Sequence, residues 1–286
     1  MHSIELPNFS SFNTLVFAGG GNRCWWQGGL MARLLEQNWK LPAQLVGTSA
    51  GAAVAAACLS KGPEAAFAAC HALYAKNESL FDWRGLARFK LRFAHQHIYP
   101  AWLASFVDPG HLDVIKRSGS QLLVAVTQPA RALGLAGSVA AGSLAYLLDK
   151  KLAHSIHPVI PRWLGLKQAF FKLHECASAS DALKLLQAAA AAPPFMNPLR
   201  VEGQWAFDGG YTDNAPLPSQ TDEEKSATLV LLTRHYPKLP TVFAWQGRSY
   251  WQPSRKVPVS TWDCRPGTSV LAAFELGQAD AKRFAA

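Results

Sequence analysis

The chain has 286 residues, of which 49% are hydrophobic and 16% charged, and its mean hydropathy is +0.02. This is the composition of a globular protein that can bury a sizeable core, as one large α/β domain or two small ones. The net charge of +9 favours anionic partners, either nucleic acid or an anionic lipid surface. The five cysteines are scattered and never spaced as CxxC, which argues against a disulfide framework or a zinc knuckle and fits a reducing compartment.

Two segments bear on the location of the protein. Residues 1–13 have neither a basic nor an apolar segment, so we expect no signal peptide and predict a cytoplasmic protein with peripheral membrane contact. Residues 132–148 are uncharged, but this run is rich in Gly, Ala and Ser and shorter than the roughly 20 apolar residues of a spanning helix. We interpret it as a buried or interfacial helix.

The first predicted elements form a βαβ unit. An apolar run at residues 14–18 ends at three glycines, a helical pattern covers residues 25–37, and a second strand is predicted at residues 44–48. The unit brings two Gly-rich turns to the C-terminal ends of parallel strands, where open α/β sheets hold their sites. The second turn is a GxSxG sequence with Ser49 at its centre, flanked by Gly47 and Gly51. A serine on such a strand-to-helix turn is exposed and suits a nucleophile.

The remaining elements complete an α/β pattern without internal repeats. We predict further strands at residues 121–127, 201–207 and 228–233, and helices at residues 50–59, 63–75, 181–192 and 269–284. The strand at 201–207 stops at Asp208-Gly209-Gly210. We predict a single domain over residues 1–286, with its core motifs at 14–60 and 188–234. Residues 81–171 are interpreted as a helical cap or a membrane-facing insertion.

Three short motifs, each weak alone, become specific in this order along the chain. They are GGGNR at residues 19–23, GTSAG at 47–51 and DGG at 208–210, and together they resemble the patatin-like phospholipase family. The small-residue and proline segment at 189–198 and the YTDNAP sequence at 211–216 extend the resemblance, which covers most of the chain. It implies a three-layer α/β/α sandwich with a mostly parallel central sheet. It also implies a lipid acyl hydrolase of phospholipase A or lysophospholipase type.

The resemblance also assigns roles within the site. Ser49 would be the nucleophile and Asp208 its base, a Ser-Asp dyad that works through an acyl-enzyme without an intervening histidine. Backbone N–H groups of the glycine loop would stabilise the oxyanion, and Arg23 would anchor the loop or contact an anionic head group. No metal or organic cofactor is expected. The implied oxyanion and substrate-binding residues are Gly19, Gly20, Gly21, Asn22 and Arg23, with Gly47, Gly51, Gly209 and Gly210 supporting the motifs.

Other interpretations of these residues stay open at this point. A dinucleotide-binding loop over residues 19–24 would need a third glycine, but Cys24 stands there instead; the family pattern usually has glycine at this position too. An α/β-hydrolase triad of Ser49, Asp208 and His235 is possible in chain order, although such a nucleophile normally follows several strands. Acyl transfer to another alcohol, or lipid binding without catalysis, are further alternatives.

Two further groups of residues could indicate a metal site or a reactive thiol. His95, His97 and His111 are close in sequence, but no further ligand has a metal-site spacing, so we expect no metal. The thiol of Cys24 adjoins the glycine loop and is interpreted as a small packing residue rather than a reactive group.

Basic and aromatic residues alternate over residues 81–106. This pattern fits single-stranded nucleic acid, a membrane surface, or a core helix with a solvated basic face. Because the other motifs indicate a lipase-type site, we expect a lipid substrate and contact with an anionic membrane surface, and no nucleic acid.

Overall fold

The computed structural model describes residues 1–4, 9–82, 92–149 and 154–284. The middle of the basic and aromatic stretch, residues 83–91, lies outside these ranges. The described strands are β1 (His2–Ser3), β2 (Thr14–Phe17), β3 (Gln44–Thr48), β4 (Phe81–Asp82), β5 (Arg92–Phe93), β6 (Gln121–Gln128), β7 (Lys167–Lys172), β8 (Leu199–Val201), β9 (Gln204–Asp208), β10 (Thr228–Leu231), β11 (Val242–Trp245) and β12 (Arg248–Trp251). The described α-helices are α1 (Trp25–Glu36), α2 (Ser49–Leu59), α3 (Pro63–Ala75), α4 (His95–Ala104), α5 (Pro109–Arg117), α6 (Gly134–Leu148), α7 (Ile160–Trp163), α8 (Ala179–Ala189), α9 (Asp222–Ser226) and α10 (Val270–Phe284).

One mixed sheet organises the chain. Nine strands follow one another in the order β1-β11-β12-β10-β2-β3-β6-β9-β8, and β7 joins as a further neighbour of β6. The five central strands, from β12 to β6, are parallel to one another, whereas the strands at both edges are antiparallel. The predicted α/β sandwich is therefore confirmed, although its sheet is mixed and parallel only at its centre.

The sheet is buried on both faces, which explains the uninterrupted apolar runs of its strands. Leu15, Phe17 and Leu45 lie in the larger core cluster with residues of α1, α2 and α10, whereas Val16 and Val46 lie in a second cluster on the other face. α1 and α10 pack closely together: an added Cβ at Gly29 would collide with the backbone oxygen of Phe274. The predicted helices at 25–37, 50–59, 63–75, 181–192 and 269–284 are all confirmed, with ends shifted by at most three residues.

The prediction of one strand over residues 201–207 is wrong. The segment forms a hairpin in which β8 and β9 pair antiparallel, with Glu202 and Gly203 at the turn. Both turn residues have positive φ, 47° for Glu202 and 78° for Gly203. Positive φ at both central residues is the mark of the tight turn that suits the twist of a hairpin. The sequence EG therefore divides an apparently continuous run into two short strands.

Residues 81–171 are not a helical cap as a whole. β6 and β7, both within this range, are strands of the central sheet, and β6 is flanked by β3, β7 and β9. Among the described residues of this range, the α-helices are α4, α5, α6 and α7. Among the described residues, no helix combines the length and the hydropathy needed to cross a membrane.

Candidate active site

Ser49 lies at a strained turn between β3 and α2. Its φ is +53°, a left-handed conformation that side-chain-bearing residues rarely adopt, and it is the first residue of α2. The hydroxyl of Thr48 donates to the carbonyl oxygen of Ala125 in β6 at 2.9 Å, which fixes the turn to the neighbouring strand. The GxSxG turn predicted from sequence is therefore formed.

The two glycines of this turn permit close packing. A Cβ at Gly47 would come within 2.7 Å of the Ala52 Cα, and a Cβ at Gly51 within 2.5 Å of the Ala18 carbonyl oxygen. Real Cβ atoms do not approach so closely, so α2 can lie this near the ends of β2 and β3 only because both positions are glycine.

Asp208 reaches Ser49 because of the way β9 joins the sheet. Residues 123–125 of β6 pair with both β3 and β7, so these two strands lie on opposite edges of β6. Residues 126 and 127 pair with both β7 and β9, which places β9 on the β3 edge, beyond the end of β3. Asp208, the last residue of β9, pairs with Val126, next to the partner of Thr48. Its carboxylate therefore adjoins the serine turn although β9 is antiparallel.

The serine and aspartate side chains are in direct contact. The Ser49 hydroxyl donates to Oδ2 of Asp208 at 2.8 Å, and the N–H of Gly210 donates to Oδ1 at 2.8 Å. Both side chains are buried, with Ser49 5% and Asp208 6% exposed. Burial raises the pKa of Asp208 from 3.8 to about 6, while the bonds from Gly210 and Ser49 act in the opposite direction. The pair is thus a serine hydroxyl hydrogen-bonded to a buried carboxylate.

The DGG motif is packed as tightly as the serine turn. A Cβ at Gly209 would collide with the Thr48 hydroxyl and lie 2.6 Å from the Ala125 carbonyl oxygen, so these two motifs touch. A Cβ at Gly210 would collide with the side chain of Asn214. Glycine at both positions therefore allows the turn after Asp208 to sit against β3 and β6.

In the glycine loop after β2, two backbone amides have no hydrogen-bond partner among the described residues. The N–H of Gly19 donates to the Asn214 carbonyl oxygen at 2.7 Å, and the N–H of Asn22 donates to the Thr261 carbonyl oxygen at 3.1 Å. Within the described residues, the N–H groups of Gly20 and Gly21 have no hydrogen-bond partner, and both residues line a cavity with Ser49. The expectation that Gly19 and Asn22 offer their backbone amides to an oxyanion is therefore wrong, because both amides are already bonded.

Asn22 and Arg23 hold the loop in place. The Asn22 side-chain amide donates to the carbonyl oxygens of Ser260 and Asp263 at 3.0 and 2.6 Å, and its oxygen accepts from the Tyr74 hydroxyl at 2.7 Å. The Arg23 Nε donates to the carbonyl oxygen of Gly20 at 3.2 Å. Asn22 thus positions the loop instead of binding substrate, whereas Arg23 anchors it and also lines the cavity.

Cys24 is a packing residue. Its side chain is 1% exposed, its thiol lies 3.5 Å from the Ala18 carbonyl oxygen, and burial raises its pKa above the ordinary range. A neutral, enclosed thiol is a poor nucleophile. The bulky residues that follow are also buried: the Trp26 indole N–H donates to Asp280 at 2.7 Å, and Trp25 lines a pocket beneath Ser49.

Two spaces adjoin Ser49 and share Gly21, Thr261 and Trp262 in their linings. The outer cavity has an empty volume of about 930 Å³, part of which is open solvent, and is lined by Ser49, Asp208, Gly20 and Gly21. The inner pocket, about 520 Å³, extends from Ser49 along α2 past Val54, Tyr99 and Met196. Its lining is mainly apolar and aromatic, which suits a hydrocarbon chain. Several residues that line these spaces were not predicted as site residues, among them Tyr99, Phe195, Thr261 and Trp262.

The alternative histidine sites are not assembled. Nδ1 of His235 lies 2.9 Å from the Pro253 carbonyl oxygen, and no hydrogen bond joins His235 to Ser49 or Asp208 in the described part of the chain. Nδ1 of His111 pairs with Asp108 at 2.9 Å. Across the described ranges, no cluster of three or more His, Cys, Asp or Glu side chains could hold a metal ion.

Comparison with known proteins identifies the family. A search of curated proteins found no match to this chain. A model of the family described as patatin-like phospholipase matches residues 15–219, which span the glycine loop, the serine turn and the DGG motif. This match covers well over half of the chain. The chain therefore belongs to the patatin-like phospholipase family, a family of lipid acyl hydrolases.

Proposed function

We propose that the protein hydrolyses acyl esters of phospholipids or lysophospholipids through a Ser49–Asp208 dyad. The observation that carries this proposal is the direct hydrogen bond of 2.8 Å between the two side chains. A serine hydroxyl is a weak nucleophile unless a positioned base removes its proton. Asp208 is that base, since its Oδ2 is the acceptor of the Ser49 proton.

The first half of the reaction forms an acyl-enzyme. Ser49 Oγ attacks the ester carbonyl carbon while its proton moves to Asp208, and the negative charge develops on the carbonyl oxygen. The free N–H groups of Gly20 and Gly21 are the donors available for that oxygen. When the intermediate collapses, the alcohol leaves with the proton from Asp208. The acyl group remains on Ser49.

The second half releases the fatty acid. Asp208 removes a proton from water, whose oxygen attacks the acyl carbon, and the second tetrahedral intermediate expels Ser49. The serine oxygen regains the proton from Asp208, so the enzyme returns to its starting state. A pKa of about 6 for Asp208 suits both roles, because catalysis is favoured when the pKa of the base is near the working pH.

Two arginines support a phosphate-bearing substrate. A side cavity of about 550 Å³ shares Arg23, Gly210 and Tyr211 with the outer cavity and is also lined by Arg234. Nη1 of Arg234 is buried and has no hydrogen-bond partner among the described residues. A buried guanidinium N–H without an acceptor is costly, and a phosphate oxygen would satisfy it. The phosphate of a lipid head group would then lie beside the ester bound at Ser49.

Hydrolysis assays on wild type and three variants test the proposal. The substrates are a diacyl phospholipid, its lysophospholipid and a triacylglycerol with the same acyl chain. Ser49→Ala should lower kcat by about 10⁴-fold or more. Ser60→Ala, a serine at the other end of α2, is the matched control and should keep full activity. His235→Ala should also stay active; a loss equal to that of Ser49→Ala would replace the dyad with a Ser-Asp-His triad.

The same assay addresses acyl transfer, which proceeds through the same acyl-enzyme. Adding an acceptor alcohol, such as a lysophospholipid, allows the acyl group to form a new ester instead of a free acid. Free fatty acid as the main product supports hydrolysis, whereas a new diacyl lipid as the main product would assign a transferase. A protein that binds lipid but forms neither product would be non-catalytic.

A further inference from the structure

Exposed apolar side chains concentrate in one segment of the protein. Eleven large hydrophobic side chains in the described residues are exposed, and seven of them lie between residues 133 and 164. Single exposed hydrophobic residues are normal on protein surfaces, but contiguous groups mark interaction sites. The seven residues are Leu133, Leu144, Leu147, Leu148, Val159, Trp163 and Leu164.

α6 presents one continuous apolar stripe to the outside. Its buried residues are Ser138, Gly142 and Ala145, which lie on one side of the helix. The exposed positions 136, 140, 144, 147 and 148 recur every three or four residues and so share the opposite side. No charged residue occurs from 132 to 148. A solvent-facing helix side normally carries charge, so this stripe is suited to an apolar environment.

α7 extends the stripe into a surface. It packs against α6, and its last residue, Trp163, is 81% exposed, more than any other large hydrophobic side chain in the described residues. Val159 and Leu164 on either side of α7 are also exposed. We call the exposed apolar residues of α6 together with Val159, Trp163 and Leu164 the α6–α7 face. An exposed tryptophan beside leucines suits the interfacial region of a bilayer.

The α6–α7 face adjoins the candidate active site. Ser143, Tyr146 and Leu147 of α6 line the outer cavity that holds Ser49, and Leu147 is itself exposed. α6 is therefore a wall of the cavity on one side and an apolar outer surface on the other. A lipid leaving a membrane at this face would meet the entrance to the cavity.

The charge around the face complements anionic lipid. Residues 131–167 contain five Lys or Arg and a single acidic residue, Asp149, whose side chain is buried. Arg131, Arg162 and Lys167 are exposed in the described part of this segment. Basic residues beside an apolar surface favour membranes that contain anionic lipids, each contributing modestly near the surface. A second copy of this basic chain would instead bring like charges together.

We propose that the α6–α7 face binds the surface of a bilayer containing anionic lipid and so delivers substrate to the cavity. The delivery rests on the proposed function, whereas the binding does not require catalysis. Membrane contact was predicted from residues 81–106. The α6–α7 face contains none of these residues, because α6 and α7 come later in the chain. The protein binds at the surface through side chains of α6 and α7 without inserting a helix across the bilayer.

Vesicle co-sedimentation of Ser49→Ala protein tests the proposal without substrate turnover. The vesicles contain either phosphatidylcholine alone or phosphatidylcholine with phosphatidylglycerol. We expect stronger binding to the anionic vesicles, weakened by salt. Adding Leu144→Glu or Trp163→Ala should weaken that binding about tenfold, because each removes apolar area from the contact. The matched control is Leu271→Glu, a similarly exposed leucine on α10 at 50%, and it should bind like the parent protein.

Two further measurements separate the outcomes. The Leu144→Glu and Trp163→Ala substitutions are also made in protein that keeps Ser49. These variants should hydrolyse a soluble short-chain ester at the wild-type rate, because neither residue lines the cavity. Loss of vesicle hydrolysis alone would then support the proposal. Unchanged vesicle binding by both variants would overturn it. A wild-type dimer in sedimentation velocity that Leu144→Glu dissociates, with unchanged vesicle binding, would assign the face to a second copy of the chain and equally overturn it.

Discussion

Replacing Asp208 with asparagine should lower kcat by about 10²- to 10⁴-fold and stabilise the fold at neutral pH. Asparagine has nearly the same shape, and its two polar atoms match the existing partners: its oxygen can accept from the Gly210 N–H, and its amide can donate to Ser49 Oγ. The geometry of the pair is therefore retained. What is lost is the acceptor for the serine proton.

The expected loss of activity follows from the role of a general base. Such groups typically contribute between about 10² and 10⁴-fold to the rate, and kcat of Asp208→Asn should fall by that amount. The wild-type rate should itself fall about tenfold for each pH unit below the Asp208 pKa of about 6, because the protonated carboxyl cannot accept the serine proton.

The expected gain in stability follows from the same pKa. The pKa of Asp208 is higher in the folded protein than the ordinary value of 3.8 that applies to the unfolded chain. The protonated carboxyl therefore adds to the free energy of unfolding, and this contribution is complete only below pH 3.8. That contribution is lost as the pH rises through about 6, so the ionised carboxylate weakens the fold at neutral pH. A shift of roughly two pKa units corresponds to about 3 kcal/mol. Asparagine, which carries no charge, avoids this cost.

Urea unfolding of wild type and Asp208→Asn between pH 5 and 8 provides the assay, with hydrolysis measured on the same samples. The free energy of unfolding of the variant should exceed that of wild type at pH 8, and the difference should shrink toward pH 5. Asp280→Asn is the control, because Asp280 is a buried carboxylate bonded to Trp26 and Ser254 and does not line the cavity that holds Ser49. The reasoning is refuted if Asp208→Asn keeps activity within tenfold of wild type, or is less stable at pH 8.

Three further predictions concern packing and substrate choice. In a urea titration, Gly51→Ala should lower the free energy of unfolding by about 1–3 kcal/mol, because the added Cβ would collide with carbonyl oxygens at the end of β2. The control Gly119→Ala should leave it unchanged, because no atom lies within 4 Å of the added Cβ. Val54→Phe should reduce kcat/KM for long-chain esters at least about tenfold relative to short-chain esters, by filling the inner pocket; equal changes for both would contradict an acyl site there. Arg234→Gln should raise KM about 10- to 100-fold for phospholipid and leave KM for a neutral short-chain ester unchanged, whereas equal KM changes would exclude a phosphate contact.

The central part of the fold could be predicted from the sequence because local and tertiary preferences agree there. The buried strands β2, β3, β6 and β10 are mostly apolar runs, and the turns that follow β2 and β3 require glycine. Ser49 and Asp208 are 159 residues apart, so no local pattern joins them. Their contact was expected only from the resemblance to a family. The pairing of β9 beyond the end of β3 gives that contact its physical basis.

Features that depend on distant partners could not be predicted in the same way. The Asn22 amide looked available in sequence, but the segment around Thr261 bonds it, and nothing near residue 22 signals this. The β8–β9 hairpin was missed because Glu202 at positive φ is unusual. α6 was predicted as buried or interfacial from composition alone, since only the neighbouring elements determine how many of its leucines are covered.

The most direct test of the Ser-Asp assignment is to locate the residue modified by a fluorophosphonate probe. The intact protein is labelled, digested and analysed by peptide mass spectrometry. The phosphonyl group should be attached to Ser49, and labelling should disappear in Ser49→Ala. Asp208→Asn should label much more slowly than wild type, because Ser49 has lost its base. An adduct on another residue, or undiminished labelling of Ser49→Ala, would contradict the proposed mechanism.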